Sequence, residues 1–177
     1  MIRAPSRIGA DRSGLALVEF AFTFPVLLIL FLGGYQLSDA IACKRKVGIT
    51  NRTLVDLATR NKQITVAEVE AVLSAAEQVM SPYRAAQAQL RLTQVYTNGA
   101  GATTVVWSRG RNTTGRAAGS AISLPGTLRT NGNYLLLSEI TYAYDPRASF
   151  GFLGRQNLSD SLFMSPRNSS SVPCNDC

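Results

Sequence analysis

Arg12-Ser13-Gly14-Leu15-Ala16-Leu17-Val18-Glu19-Phe20 leads directly into an apolar run that ends near Leu37. A basic leader closes on Gly14, one carboxylate stands at Glu19, and no further charge occurs until Asp39. The 19 residues from Phe20 to Ser38 are therefore uncharged. As a helix rising ~1.5 Å per residue they cover about 28 Å, close to the roughly 30 Å hydrocarbon core of a bilayer. Pro25 and Gly33-Gly34 interrupt the run, and both residue types are tolerated in membrane helices. Residues 15–38 read as a transmembrane helix.

Glu19 is the informative residue of that helix. A carboxylate costs free energy in lipid, and an intramembrane ionisable group usually has a partner and a role. If the chain were cut after Gly14, the new α-amine of Leu15 would stand one helical turn from Glu19. The same amine could meet Glu19 of a neighbouring copy. The bland reading places Glu19 hydrated at the headgroup boundary, with no role.

The whole pattern is a short basic leader, Gly14, four apolar residues, Glu19, an aromatic at Phe20 and a long apolar helix. It resembles a class III prepilin signal. More narrowly, Val18-Glu19-Phe20-Ala21 and Phe24-Pro25-Val26-Leu27-Leu28 resemble the TadE-like family of tight-adherence (Flp) pilus minor pilins and assembly proteins, over roughly residues 12–56. A tyrosine is common in that family where this chain has Phe20. The resemblance implies processing between Gly14 and Leu15 by a prepilin peptidase. It also implies helix packing through Glu19, Phe20, Phe24 and Pro25, with the leader in the cytoplasm and the rest of the chain outside.

Other readings of the segment compete. A secretory signal peptide would use Arg3, Arg7 and Arg12, with Ala40-Ile41-Ala42 as its small-x-small cleavage site. The apolar run is longer than the usual core, however, and Glu19 and Asp39 intrude at its ends. A lipoprotein signal ending at Cys43 lacks the leucine expected at Ala40. An uncleaved anchor remains open.

Length allows one domain beyond the anchor. Lys plus Arg number 18 against 11 acids, giving +7. Loss of residues 1–14 would remove three arginines and one aspartate, leaving +5. The positive residues are scattered apart from Lys44-Arg45-Lys46, which reads as an anchor at lipid headgroups rather than a nucleic-acid site. Arg3, Arg7 and Arg12 flank one side of the helix and Lys44, Arg45, Lys46 and Arg52 the other, so the positive-inside rule gives no orientation.

Helical character continues from Asp39 to about Asn61, either as a fibre-packing stalk or as a helix packing on its own domain. Thr65-Val66-Ala67-Glu68 forms a capping box. Val66, Val69, Val72, Leu73, Ala76, Val79 and Met80 then recur at helical steps, and Ser81-Pro82 ends the run. Glu68, Glu70 and Glu77 read as the solvated face of this helix. Gln89–Thr97 and Thr103–Trp107, joined by Asn98-Gly99-Ala100-Gly101, predict a β-hairpin. Arg109–Gly132 reads as a long loop with a short ordered piece at Ile122–Leu124. Tyr134–Tyr144 reads as a third strand and Leu158–Met164 as a shorter fourth. Trp107, Tyr134, Tyr142 and Tyr144 read as core and sheet surface. The stretch Ser138 to Pro146 also resembles, more weakly, a segment of the soluble parts of TadE-like proteins.

Cys174-Asn175-Asp176-Cys177 reads as a disulfide loop closing a Ser-rich tail, with two free thiols as the alternative. A disulfide would put this end of the chain in an oxidising compartment. The state of Cys43 is left open. With no histidine in the chain, triads that use it as the base are excluded, and one chain lacks the ligands for a four-coordinate zinc site. The four Asn-x-Ser/Thr triplets at Asn51, Asn112, Asn157 and Asn168 read as chance.

The expected architecture is α+β: a leader (1–14), a transmembrane helix (15–38), a helical stalk and second helix (39–82), an extracytoplasmic β-rich domain (83–166) and a Ser-rich tail (167–177). The function expected from the resemblance is non-enzymatic, without cofactor or metal. The chain would be a minor pilin or assembly component of a tight-adherence pilus, single-pass in a bacterial inner membrane with its domain in the periplasm, or incorporated in an extracellular pilus. Its partners would be prepilin peptidase, other pilus subunits, inner-membrane assembly proteins and lipid. The alternative is a single-pass, membrane-anchored binding protein or adhesin that never enters a fibre.

Overall fold

The computed structural model describes residues 13–146, 151 and 154–177; most of the leader expected at 1–14 lies outside them. The architecture is α+β, with two helices and one antiparallel sheet. Helix α1 (Ser13–Thr59) is continuous through Pro25, Gly33, Gly34 and Gly48, and its 47 residues give a length of about 70 Å. Helix α2 is Val66–Val79. Strands β1 (Ala88–Thr97), β2 (Thr103–Arg111), β3 (Tyr134–Tyr144) and β4 (Gln156–Met164) lie in the order β2-β1-β3-β4. Two compact units divide the chain: residues 1–39 with 146–154, and residues 40–145 with 155–177.

In the second unit, α1 from residue 40 onward is a core helix. Cys43, Val47, Leu54, Val55 and Ala58 are fully buried, at the three- and four-residue steps that make one helical face. They pack in one cluster with Val69, Leu73, Ala76 and Met80 of α2 and with Leu90, Leu92, Leu136, Ile140 and Tyr142 of the sheet. A polar seam crosses the layer: Ser138 Oγ donates to the Asn51 carbonyl at 3.2 Å, and Asn51 Nδ2 donates to Asp160 Oδ2 at 3.0 Å. These bonds satisfy groups whose burial would otherwise be costly.

The hairpin forms where the sequence places it, with a bulge that periodicity alone does not reveal. Gln94 pairs with Trp107 while Val95 pairs with Val105, so Val106 is the extra residue. Strand periodicity would put Val105 and Trp107 on one face. The bulge puts them on opposite faces, with Trp107 in the main core and Val95, the partner of Val105, in a second cluster with Leu124 and Leu135. That second cluster is roofed by the connection after β2. Its ordered piece is a bridge between Thr104 and Ala121, and a 3-10 turn follows at Gly126–Leu128.

Two expectations need correction. Arg109–Arg111 are not loop: they extend β2 and pair with Leu90–Leu92. Gly110 is required there, because a Cβ would lie 2.4 Å from the Thr113 carbonyl oxygen. Glu77 is not on a solvated face. It is buried and bonded to Arg111, which also stands 3.8 Å from Glu70. Helical spacing placed Glu77 beside Ala76 at the edge of the apolar stripe, and only the strand supplied its cation.

The segment 167–177 is built into the fold. Its Arg167 N–H donates to the Thr59 carbonyl and Asn168 Nδ2 to the Arg60 carbonyl, satisfying acceptors at the end of α1. Beyond it, Thr65 and Glu68 form the expected reciprocal capping box. A third acceptor, Asp176 Oδ1, takes the Val66 N–H at 3.0 Å. Replacing Thr65 by Ala should cost about 1 kcal/mol, seen as a lower urea midpoint with an unchanged m-value. Replacing the neighbouring exposed Lys62 by Ala should change the midpoint little.

Candidate helix-packing and membrane site

The first part of α1 is apolar on every side. Leu15, Leu17, Phe20, Phe22, Val26, Leu27, Ile29, Leu30 and Phe31 are all more than half exposed, and Val18, Phe24 and Leu28 are nearly so or more. Full burial of such a side chain is worth ~1.5–3 kcal/mol. Even half of that over these twelve residues is on the order of 10–20 kcal/mol, as much as the whole stability of a domain. Water is therefore not the medium for this surface. The helix is long and apolar enough to cross a membrane, and its most apolar 18-residue window has no buried residue. A core helix of a soluble protein would be mostly buried.

The helix residues singled out from sequence, Gly14 to Pro25, lie within about three turns of this surface. The Gly14–Leu15 bond lies in the first described residues of α1. A Cβ on Gly14 would meet nothing within 4 Å. Leu15 and Glu19 are four residues apart and share a face. Glu19 is exposed, and among the described residues its carboxylate makes no ion pair.

One turn on, Phe20 and Phe24 stack with ring centroids 5.3 Å apart. Thr23 Oγ1 donates back to the Glu19 carbonyl at 2.9 Å, satisfying the hydroxyl within the helix. Pro25 lacks an N–H, so the carbonyl of Ala21 loses its helical donor. The site is thus a carboxylate, an aromatic ledge and one weakened turn on an otherwise uniform apolar rod.

Residues 14–47 match the family model described as TadE-like protein. This is the family that Val18-Glu19-Phe20-Ala21 and the Phe24-Pro25 motif resemble. The TadE-like segment covers the exposed apolar turns and the first buried turn of the folded unit, Cys43 to Val47. Comparison with curated proteins and with solved structures gives no match.

Among the described residues outside the first part of α1, several ion pairs join separate elements. Glu139 accepts from Arg116 at 2.6 and 3.1 Å and from Arg91 at 3.3 Å. Arg91 also donates to the Thr114 carbonyl and to Thr113 Oγ1, fixing the connection after β2 against the sheet. On α1, Asp56 is shared by Arg60 and Arg167. Cys174 and Cys177 are joined in a disulfide, so their sulfurs are not thiolate ligands, although Asp176 stands beside them. Cys43 is a buried thiol in the main core. The Glu77–Arg111 and Glu139–Arg116 pairs carry no sequence signal, since their partners are 34 and 23 residues apart on different elements.

Burial pushes the Glu139 carboxyl up, but hydrogen bonds and charge from Arg116, then Arg91, outweigh it and hold the carboxyl below its ordinary value of 4.5. The folded state therefore binds this proton less readily than the unfolded chain. The stabilisation is complete above pH 4.5 and is lost as pH falls through the lowered folded value. Glu139→Gln should cost on the order of 1 kcal/mol near neutral pH, allowing for partial exposure of the pairs. In urea titrations the gap to the unmodified protein should close as the pH is taken below that range.

Proposed function

We propose that this chain is an assembly component, of minor-pilin type, of a tight-adherence pilus. The observation that carries the reading is the TadE-like segment itself, whose first part, residues 15–31, is exposed and apolar apart from Thr23 and the single carboxylate of Glu19. In this reading a membrane prepilin peptidase cuts between Gly14 and Leu15. The mature helix stays in the inner membrane or passes into the fibre, with the sheet domain on the periplasmic side. A disulfide between Cys174 and Cys177 supports an oxidising compartment.

Glu19 then has a physical task. In lipid its charge is unfavourable alone, and the new Leu15 amine of a neighbouring subunit is a matching cation. Pairing the two removes both unmatched charges and sets the axial register between helices. Phe20, Phe24 and the turn at Pro25 supply the adjoining packing surface. The domain makes contacts with other subunits or with surfaces.

The test is the N-terminal sequence and intact mass of membrane-extracted protein from cells with and without their prepilin peptidase. A mature start at Leu15 that requires the peptidase is expected. A start at Met1 would favour a permanently anchored binding protein, and a start at Cys43 would mean a cleaved signal. Glu19→Gln should leave processing largely intact and sharply reduce incorporation into sheared pili; pili with normal content of the variant would remove the assembly role of Glu19.

A further inference from the structure

The segment 172–177 lies across the seam between α2 and β2, and its contacts are those of a strap. Val172 is fully buried in the main core. Its carbonyl accepts from Trp107 Nε1 at 2.8 Å, and the same N–H also reaches Gln94 Oε1 at 2.8 Å. The Pro173 carbonyl takes the Ile64 N–H at 3.0 Å, and Cys174 continues this as a bridge parallel to Ile64. Asp176 Oδ1 takes the first N–H of α2, from Val66. The carbonyls of Asp176 and Cys177 receive Arg109 Nη2 at 3.4 and 3.3 Å.

The bonds to Val66 and Arg109 all come from residues enclosed by, or closing, the Cys174–Cys177 ring. The disulfide fixes the turn that aims them. Without it the turn around Asp176 is unconstrained, and its two functions, capping α2 and holding Arg109, must each bear the entropy of ordering that turn. Closure also has a cost on the other side: Arg109 Nε is buried without a hydrogen-bond partner, and an open strap would let water reach it. The closed arrangement is thus held by the ring against a group that gains from opening. The ring is reachable, because Cys177 is exposed and a cavity of about 210 Å³ between β2 and the strap is lined by Trp107, Arg116, Cys174 and Cys177.

We propose that Cys174–Cys177 is a redox latch: reduction by a dithiol releases the strap and uncovers Trp107, while the rest of the fold persists. A thiolate of the reductant attacks one sulfur, forming a mixed disulfide and freeing one cysteine. Its second thiol then displaces the other cysteine. The reductant leaves as a disulfide, and two electrons and two protons have passed to the protein. Reduction also places an S–H donor on Cys174, 3.5 Å from Asp176 Oδ1, the oxygen that caps α2. The contacts that α1, α2 and the sheet make with one another persist, while Val172 and Cys174, which pack against that core, leave with the strap.

Trp107 is the only tryptophan in the chain, so its fluorescence reads the strap directly. The full-length protein in detergent micelles is treated with dithiothreitol, and two new thiols are counted by titration. A red shift of the emission and a several-fold rise in acrylamide quenching are expected, with an unchanged far-UV circular dichroism spectrum. The Cys174→Ser/Cys177→Ser double variant should show the same emission without reductant and no response to it. Unaltered Trp107 emission in the reduced protein would overturn the latch. So would a loss of the far-UV signal, or a response to dithiothreitol that survives in the double variant.

Discussion

A single helix has to satisfy two media. Over residues 15–31 the side chains of α1 are apolar on every face, and all of them are solvent-exposed. From residue 40 the same helix buries Cys43, Val47, Leu54 and Ala58 on one side. The first pattern suits an apolar medium, and the second suits a helix packed on a core. Lys44 and Arg45 are exposed just after that change, where a cation can reach headgroup oxygens while its stem lies along the helix. Lys44 is in addition tied to the main-chain carbonyl of Ser159 on β4.

The folded unit depends on that second pattern. With four strands and one short second helix, it has little apolar surface of its own to bury, and α1 supplies one wall of the core. The residues of α1 from Cys43 onward, of α2 and of the sheet form one cluster. The polar seam from Asn51 to Ser138 and Asp160 also fixes α1: the Asn51 Nδ2 donor and the Ser138 hydroxyl are satisfied by bonds that hold α1 in one register against β3 and β4. Segment 167–177 completes the unit by supplying donors at the end of α1, an acceptor at the start of α2 and an acceptor over Trp107.

Local chemistry was legible wherever the determining residues are close in sequence. The Thr65–Glu68 box, the Asn98–Gly101 turn and the span of β3 follow from spacing and turn residues alone. Arg109-Gly110-Arg111 reads as loop because Gly and Arg are weak strand formers, yet pairing with Leu90–Leu92 outweighs composition. Glu77 misleads for a related reason. A charge on an amphipathic helix normally faces water, and it is buried here only because Arg111 arrives from another element to neutralise it.

The sequence by itself determined the membrane-capable helix, the lone carboxylate at Glu19 and the TadE-like resemblance, because each rests on contiguous residues and on the cost of placing polar or apolar groups in the wrong medium. Tertiary structure decided the rest. It turned the Ser-rich tail into a strap, decided between two readings of residues 39–61 in favour of a helix packed on its own domain, and used one bulged residue, Val106, to send Val105 and Trp107 to opposite faces. It also matched Glu77 and Glu139 with their arginines. These outcomes depend on pairs far apart along the chain, and no local period or motif encodes which distant group will arrive to satisfy a buried charge, an orphaned carbonyl or an uncovered indole.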